Sequence, residues 1–161
     1  GPILCGHAVS LMDRAPDDVA RIADKCARAG ITICTLPITN LYLQGRTDGT
    51  PDRRGITRLR ELRAAGVKVV VGSDNVADAF CPVGAHDPRA ALALACVTAH
   101  LDPPLGDWLT TITTYAASTL GHDPINVDGA LLSDLLTCDA AHTATFISGR
   151  TALHPATGTL T

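Results

Sequence analysis

The sequence has little of the patterning that marks membrane or nucleic-acid-binding proteins. It contains no run of 18 apolar residues and no charged-then-apolar leader, so neither a membrane span nor a signal peptide is expected. The 13 basic residues are scattered and the formal net charge is −3, which leaves no basic stripe for nucleic acid. The nearest basic group has the spacing of a solvated helix face: Arg53, Arg54, Arg58, Arg60 and Arg63. We therefore expect a soluble, cytoplasmic protein with no nucleic-acid or membrane partner.

The cysteines lack the C-x-x-C spacing of a metal cluster. Most of the six lie inside apolar runs, where a reduced thiol behaves as a small core residue. Buried free thiols are therefore expected, with disulfides or a zinc cluster as the alternatives.

The apolar pattern predicts an α/β fold. The 161 residues are 46% hydrophobic, enough for one domain with a sizeable core. Short β-branched strands are predicted near residues 3, 31 and 67, each followed by a helix. One helix is predicted to begin at Pro16. Three more are predicted at Gly55–Ala65, Ala90–Leu101 and Asp107–Thr119, and Asp87-Pro88 caps the helix at Ala90–Leu101.

Two regions lie outside this alternation. Residues 37–51 are predicted to be a long polar loop, and such loops are often functional; this one carries Asn40 and Gln44. Residues 122–161 are predicted to form a small β appendage, with strands around 133–138 and 143–148 and a further pair within 152–160.

Polar residues follow the predicted third strand. Val67–Val71 is a β-branched run, and Gly72 separates it from Ser73, Asp74 and Asn75. His7 follows the first strand in the same way. Because catalytic groups gather at the carboxyl ends of parallel strands, Asp74 and His7 are candidate site residues. The alternatives are that Asp74 caps a turn and that His7 is an ordinary core or surface histidine.

Three βα units leave two sheet edges unpaired, which a free-standing domain rarely tolerates. We therefore expect a missing upstream segment, and association of the chain either as a homo-oligomer or with that N-terminal half.

Four segments in order resemble one family. They are Gly6-His7, Asn40-Leu-Tyr-Leu-Gln-Gly-Arg46, Arg53-Arg-Gly-Ile-Thr57 and Gly72-Ser-Asp-Asn-Val-Ala-Asp-Ala-Phe80. Together they resemble the metal-dependent amidohydrolase superfamily, and the nearest branch is that of bacterial cytosine deaminase. The resemblance runs from about His7 to Gly121 and more loosely through the tail.

The resemblance implies that residues 1–121 are units six to eight of a TIM (β/α)₈ barrel and that residues 122–161 are part of a small β-sandwich. It implies that Asp74 is both metal ligand and proton acceptor, and that His7 contacts the hydrolytic water. The intact enzyme would hold one divalent metal, zinc or iron, and this chain alone would bind none. The residues expected to contact the substrate are Asn40, Gln44, Asn75 and Phe80.

The sequence also departs from the family pattern. The His-x-His pair of the first strand, the metal-binding histidine of the fifth and the proton-shuttling glutamate have no counterpart here. Ser73 and Asn75 stand where the cytosine deaminase branch has histidine and a second aspartate, and Phe80 stands where it has tryptophan. These changes leave the metal role of Asp74 intact and the identity of the substrate open.

Three hypotheses for function follow. The first is hydrolytic deamination of a small, cytosine-like nitrogen heterocycle by metal-activated water, with this chain as the C-terminal portion of the enzyme. The second is a non-catalytic half-barrel that associates through its sheet edges. The third is a small ligand-binding α/β module, which predicts a G-x-G-x-x-G loop that Gly6-His-Ala-Val-Ser10 lacks.

Overall fold

The three predicted strands form one parallel sheet. A computed structural model describes residues 2–52 and 54–156. In it β1 (Ile3–Gly6), β2 (Ile31–Thr35) and β3 (Lys68–Val71) lie in the order β1-β2-β3. Because both pairings are parallel, the carboxyl ends of all three strands meet at one edge of the sheet. The predicted strands are therefore confirmed.

Helix α1 (Pro16–Arg28) connects β1 to β2 as predicted. Proline occupies its first turn together with Asp17 and Asp18, which favours a helix start both by backbone geometry and by charge. Gly30, at φ 64°, follows the C-cap in the left-handed conformation that glycine adopts without strain.

The predicted loop at residues 37–51 is wrong in its first half. Residues Pro37–Leu43 form helix α2, and Asn40 lies inside this helix. Proline is compatible with the first helical turn, so Pro37 begins the helix where the polar composition suggested a loop. Thr39 and Asn40 are buried, at 1% and 2% exposure, so the polar residues here mark an inner face.

The predicted helix at Gly55–Ala65 is shorter than expected. Helix α3 spans Leu59–Ala64, and Gly55, at φ 68°, is outside it. Thr57 Oγ1 donates to the Ala8 carbonyl (2.7 Å) and the Arg58 guanidinium to the Met12 carbonyl (2.9 Å). These tertiary hydrogen bonds hold the segment before α3 against the loop that follows β1. Arg53, which opens the motif in this segment, lies outside the described residues.

The next predicted helix is confirmed and the one after it is interrupted. Helix α4 (Pro88–Thr98) begins as expected, with the Asp87 carboxylate accepting from the Arg89 N–H. The segment predicted as one helix at 107–119 is divided into α5 (Gly106–Leu109), a 3₁₀ turn (Thr110–Ile112) and α6 (Thr114–Thr119). Thr113, at φ −123° and ψ −102°, is not helical and separates the last two.

The tail contains less β structure than predicted. Its β4 (Leu136–Thr137) and β5 (His154–Pro155) pair antiparallel after a 3₁₀ turn at Leu132–Asp134. The predicted strand at 143–148 is instead helix α7 (Thr143–Ile147), because Ile147 packs into a cluster with Leu92 of α4. Residues 157–161 of the predicted last pair lie outside the described residues.

The helices cover one face of the sheet. Val69 packs in a cluster with Ile33, Leu59 and Leu62, and Val71 packs in a second cluster with α4. A three-stranded half-barrel predicts exposed apolar faces at Val69 and Val71, but this prediction is wrong: they are 2% and 5% exposed, because both lie on the helix-covered face. Leu4, on the edge strand, is 48% exposed.

The six cysteines all lie in the described part of the chain and are free thiols. Only Cys81 is fully buried and Cys5 is exposed, so the expectation of buried thiols holds in part. Within residues 2–52 and 54–156, no helix has the length and apolar character needed to cross a membrane.

We expect the chain to associate in solution. Among the described strands, β1 has a partner on one side only, and its Ile3 and Leu4 are 53% and 48% exposed. Light scattering should report a mass above that of a monomer. Leu4→Lys should reduce association, because a charged side chain on an edge strand opposes strand addition. Val97→Lys, at a 73% exposed position of α4, is the control. A monodisperse wild-type monomer would contradict the prediction.

Candidate active site

His7 and Asp74 lie at the carboxyl edge of the sheet, one after β1 and the other after β3. His7 Nε2 is 3.8 Å from Asp74 Oδ2, and the two side chains are 51% and 22% exposed. The His7 N–H donates to the Cys34 carbonyl (2.9 Å), which anchors the backbone beside β2. Residues two strands apart in the sheet are thus brought into reach of a common ligand.

Both residues have left-handed backbone conformations. His7 is at φ 65° and Asp74 at φ 62°, and Ala8 beside His7 is at φ 52°. Non-glycine residues rarely adopt this region, and where they do the surrounding structure must hold them. Its occurrence at both strand ends is typical of a functional edge.

Asn40 connects helix α2 to His7. Its Oδ1 is 2.8 Å from His7 Nδ1, and the residue is only 2% exposed. Its Nδ2 has no hydrogen-bond partner. Helix α2 therefore brings Asn40, a candidate predicted from the sequence, to the site, where its side chain contacts His7.

The carboxylate of Asp74 has unmet hydrogen-bonding capacity. Its Oδ2 is buried and accepts no hydrogen bond, since 3.8 Å to His7 exceeds hydrogen-bond distance. The neighbouring Cys34 thiol has its pKa raised, first by burial and second by the negative charge of Asp74. Cys34 is a neighbour of the site that sequence reasoning missed, since its apolar strand predicted only a core thiol.

The predicted residues Asn75 and Phe80 belong to the loop after β3. Asn75 Nδ2 donates to Asp78 Oδ2, while Asp78 Oδ1 accepts from the Phe80 and Cys81 N–H groups, both at 2.9 Å. These bonds hold the pKa of Asp78 below its usual value, with the Cys81 N–H the largest cause and Asn75 the next. Phe80 is 62% exposed, so its ring is free to contact a ligand.

Thr39 fixes the near end of that loop. Its Oγ1 accepts from the Asn75 N–H (3.0 Å), and the Thr39 side chain is buried. Sequence reasoning missed Thr39 because the segment was expected to be a loop. The adjacent residues Thr39 and Asn40 of α2 thus contact the two sides of the site.

The side chain of Gln44, predicted to contact the substrate, packs against another part of the chain. Gln44 follows α2, and its N–H donates to the Asn40 carbonyl (2.9 Å). Its side chain packs against Gly55, where a Cβ would come within 2.4 Å of Gln44 Cγ. Its described contacts are therefore with the segment before α3.

The donors present suit part of a metal site. Asp74 Oδ2, a buried carboxylate oxygen without a hydrogen bond, fits a ligand to a divalent cation, and His7 is beside it. Within the described residues, however, no group of three His, Cys, Asp or Glu side chains could hold a metal ion. A carboxylate and one imidazole do not complete the four-coordinate shell of zinc.

Solved structures first show the class of fold. The chain is similar to 5-methylcytosine deaminase from Klebsiella pneumoniae liganded with 5-fluorocytosine, at 24% identity and a TM-score of 0.76, over 92% of this chain and 37% of that one. N-isopropylammelide isopropylaminohydrolase from Burkholderia multivorans matches at 23% identity and a TM-score of 0.68, over 91% and 35%. These similarities show the α/β fold of amidohydrolase enzymes.

The sequence comparisons then identify the family. The profile of the amidohydrolase family matches residues 5–125, and the chain belongs to this family. A pterin deaminase from Rhizobium rhizogenes is 43% identical over 126 residues, which are 78% of this chain and 29% of the relative. The chain thus spans less than a third of that curated relative.

Proposed function

We propose that this chain is the C-terminal portion of a deaminase, in which water displaces ammonia from a nitrogen heterocycle. In this proposal residues 1–121 are units six to eight of a TIM barrel, and residues 122–161 are part of a small β-sandwich. The observation that carries it is the proximity of Asp74, whose buried Oδ2 lacks a hydrogen bond, to His7 at the carboxyl edge of the sheet. Membership of the amidohydrolase family supports it.

The names of the relatives support an amino-heterocycle as substrate. Cytosine and pterin both carry an exocyclic amino group on a carbon beside ring nitrogens, and a pterin deaminase and a 5-methylcytosine deaminase are among the similar proteins. Attack of water at that carbon forms a C–O bond, one proton of that water passes to the amino group, and cleavage of the C–N bond releases ammonia. Our proposed substrate is a cytosine-like ring.

In the proposed mechanism Asp74 is both metal ligand and proton acceptor. A bound divalent cation would lower the pKa of water toward neutrality. The Asp74 carboxylate would take a proton from the attacking water, and His7 would contact that water. Asn75 and Phe80 line the substrate side of the loop after β3. The remaining metal ligands would come from the N-terminal half.

The test is an assay of the protein extended upstream, against cytosine, 5-methylcytosine and pterin, with ammonia release and metal content measured together. We expect turnover of at least one of these substrates and about one zinc or iron per chain. An extended, folded and metal-loaded protein that releases no ammonia from any of them would contradict the proposal.

Metal binding by this chain alone should be weak. With Asp74 and His7 as the donors at the site, we expect no stoichiometric zinc or iron after dialysis. Elemental analysis of the dialysed chain checks this. A one-to-one content with micromolar or tighter affinity would mean that other residues are the ligands.

Asn75 and Phe80 should set substrate preference without affecting the metal. Asn75→Asp and Phe80→Trp are expected to change the ratio of kcat/KM between cytosine and pterin by about 10- to 200-fold, the range that a few pocket contacts supply. Metal content should remain that of wild type. Val83→Ala, at a 60% exposed position after the same loop, is the control. An Asn75 variant that loses its metal would contradict the assignment.

The second candidate function is that of a non-catalytic half-barrel. The exposed outer edge of β1 is the observation that favours it, and the association experiment described with the fold addresses it.

A cytoplasmic location and the substrate contacts of Gln44 and Asn40 stay predictions.

A further inference from the structure

Helix α2 contacts both halves of the proposed site through consecutive buried residues. Asn40 Oδ1 is 2.8 Å from His7 Nδ1, and Thr39 Oγ1 accepts from the Asn75 N–H beside Asp74. Asn40 and Thr39 are only 2% and 1% exposed, so the α2 side of both bonds is buried.

The contact with Asn40 constrains where the His7 proton lies. A carbonyl oxygen only accepts hydrogen bonds, so with Oδ1 facing Nδ1 that ring nitrogen must carry a proton. In a neutral ring Nε2 is then a bare acceptor. It faces Asp74 Oδ2, which is a second acceptor 3.8 Å away and has no hydrogen bond. Two acceptors facing one another suit a donor placed between them, such as a water molecule.

We propose that Asn40 is a positioning residue that holds His7 as the Nδ1–H tautomer, so that Nε2 is free to accept a hydrogen bond from the attacking water. The catalytic meaning of this tautomer rests on the proposed deaminase function. Asn40 acts through His7, which differs from the substrate contact expected from the sequence.

The burial of Asn40 costs free energy of folding, and its presence despite this cost supports a positioning role. Its Nδ2 is buried without a partner, which an apolar residue of similar size would avoid. The main chain of Asn40 is fixed at both ends of one helical turn, since its N–H donates to Leu36 and its carbonyl accepts from Gln44. The position is therefore rigid enough to orient a ring.

The tautomer can be read directly in this chain without metal or substrate. The ring nitrogens of a ¹⁵N-labelled sample, observed where the imidazole is neutral, distinguish a protonated from a bare nitrogen, and His7→Gln assigns the His7 signals. We expect Nδ1 to be protonated and Nε2 bare. A His7 ring with its proton on Nε2 would overturn the proposal.

Variants of α2 separate the role of Asn40 from general packing. Asn40→Asp keeps an acceptor and should keep the Nδ1–H tautomer, whereas Asn40→Ala should shift the ring toward the Nε2–H form. Thr39→Val is the matched control, which should move the Asn75 amide signal and leave the His7 tautomer unchanged. An Asn40→Ala chain that folds and retains the wild-type tautomer overturns the proposal; if it does not fold, the wild-type and Asn40→Asp spectra decide.

Kinetics of the extended enzyme distinguish positioning from substrate contact. Asn40→Ala should lower kcat about 10- to 100-fold with KM unchanged, which is the usual scale for residues that orient a catalytic group. A raised KM with unchanged kcat would instead mean that Asn40 contacts the substrate. If the extended protein has no deaminase activity, the proposed function fails while the tautomer measurement still decides the role of Asn40.

Discussion

Replacing Asp74 with asparagine in the upstream-extended enzyme is expected to lower kcat about 10²- to 10⁴-fold, the usual effect of losing one general base. Loss of metal would add to this. The substitution keeps the shape of the side chain and removes its charge, so the proton from water has no acceptor. Asparagine is also among the residues that best tolerate a left-handed backbone, so the φ of 62° at this position should not prevent folding.

Asp78→Asn provides the control for loss of a carboxylate from the same loop. Asp78 is held by the Phe80 and Cys81 N–H groups and by Asn75, and its described hydrogen bonds do not include His7. Its effect on kcat should be much smaller than that of Asp74→Asn. Measuring turnover and metal content on the same samples separates loss of the base from loss of the ion. An Asp74→Asn enzyme with undiminished turnover would end the assignment.

The strands, and the positions of Asp74 and His7 at the carboxyl edge of the sheet, were predictable because they depend on short-range patterns. A β-branched run closed by glycine predicts a strand, and parallel strands place their carboxyl ends together regardless of what covers the sheet. Val67–Val71 and Ile31–Thr35 could therefore be located from sequence, and with them the positions of the residues that follow.

The helix that holds the site was not predictable in this way. Residues 37–43 begin with proline and open a segment, 37–51, whose polar composition is typical of a loop. Thr39 and Asn40 are nevertheless buried, because they bond to strand-end loops distant in sequence. The same reason explains α7, where the β-branched composition of Thr143–Ile147 predicted a strand and packing against α4 gives a helix. Such tertiary contacts override local propensity.

A second large effect is expected at Arg89, which connects α4 to the tail. Its guanidinium binds both Asp87 oxygens (2.7–3.1 Å) and donates to the Thr151 carbonyl (2.9 Å). It also lies 5.5 Å from the centroid of the Phe146 ring, and the residue is 8% exposed. One side chain thus ties the start of α4 to residues of the proposed β-sandwich portion.

Arg89→Met should lower the free energy of unfolding by about 2–4 kcal/mol, somewhat less than for a fully buried pair because the Asp87 side chain is 31% exposed. The melting temperature should fall by about 5–15 °C. Arg28→Met is the matched control, since its pair with Asp24 is 67% and 55% exposed and is worth about 0–1 kcal/mol. Denaturant unfolding of both variants at pH 7 measures the difference.

The effect of Arg89→Met should depend on pH in a defined direction. The side-chain hydrogen bond from Arg89 is the largest cause that holds the pKa of Asp87 below its ordinary value. A carboxyl with a lowered folded pKa stabilises the protein above its unfolded pKa of about 3.9, and this contribution is lost as the pH falls through the folded value. The gap in stability between wild type and Arg89→Met should therefore be full at pH 7 and narrow below about pH 4. A gap that stays constant from pH 7 to pH 3 would mean that Arg89 stabilises the fold through Thr151 and Phe146 rather than through its pair with Asp87.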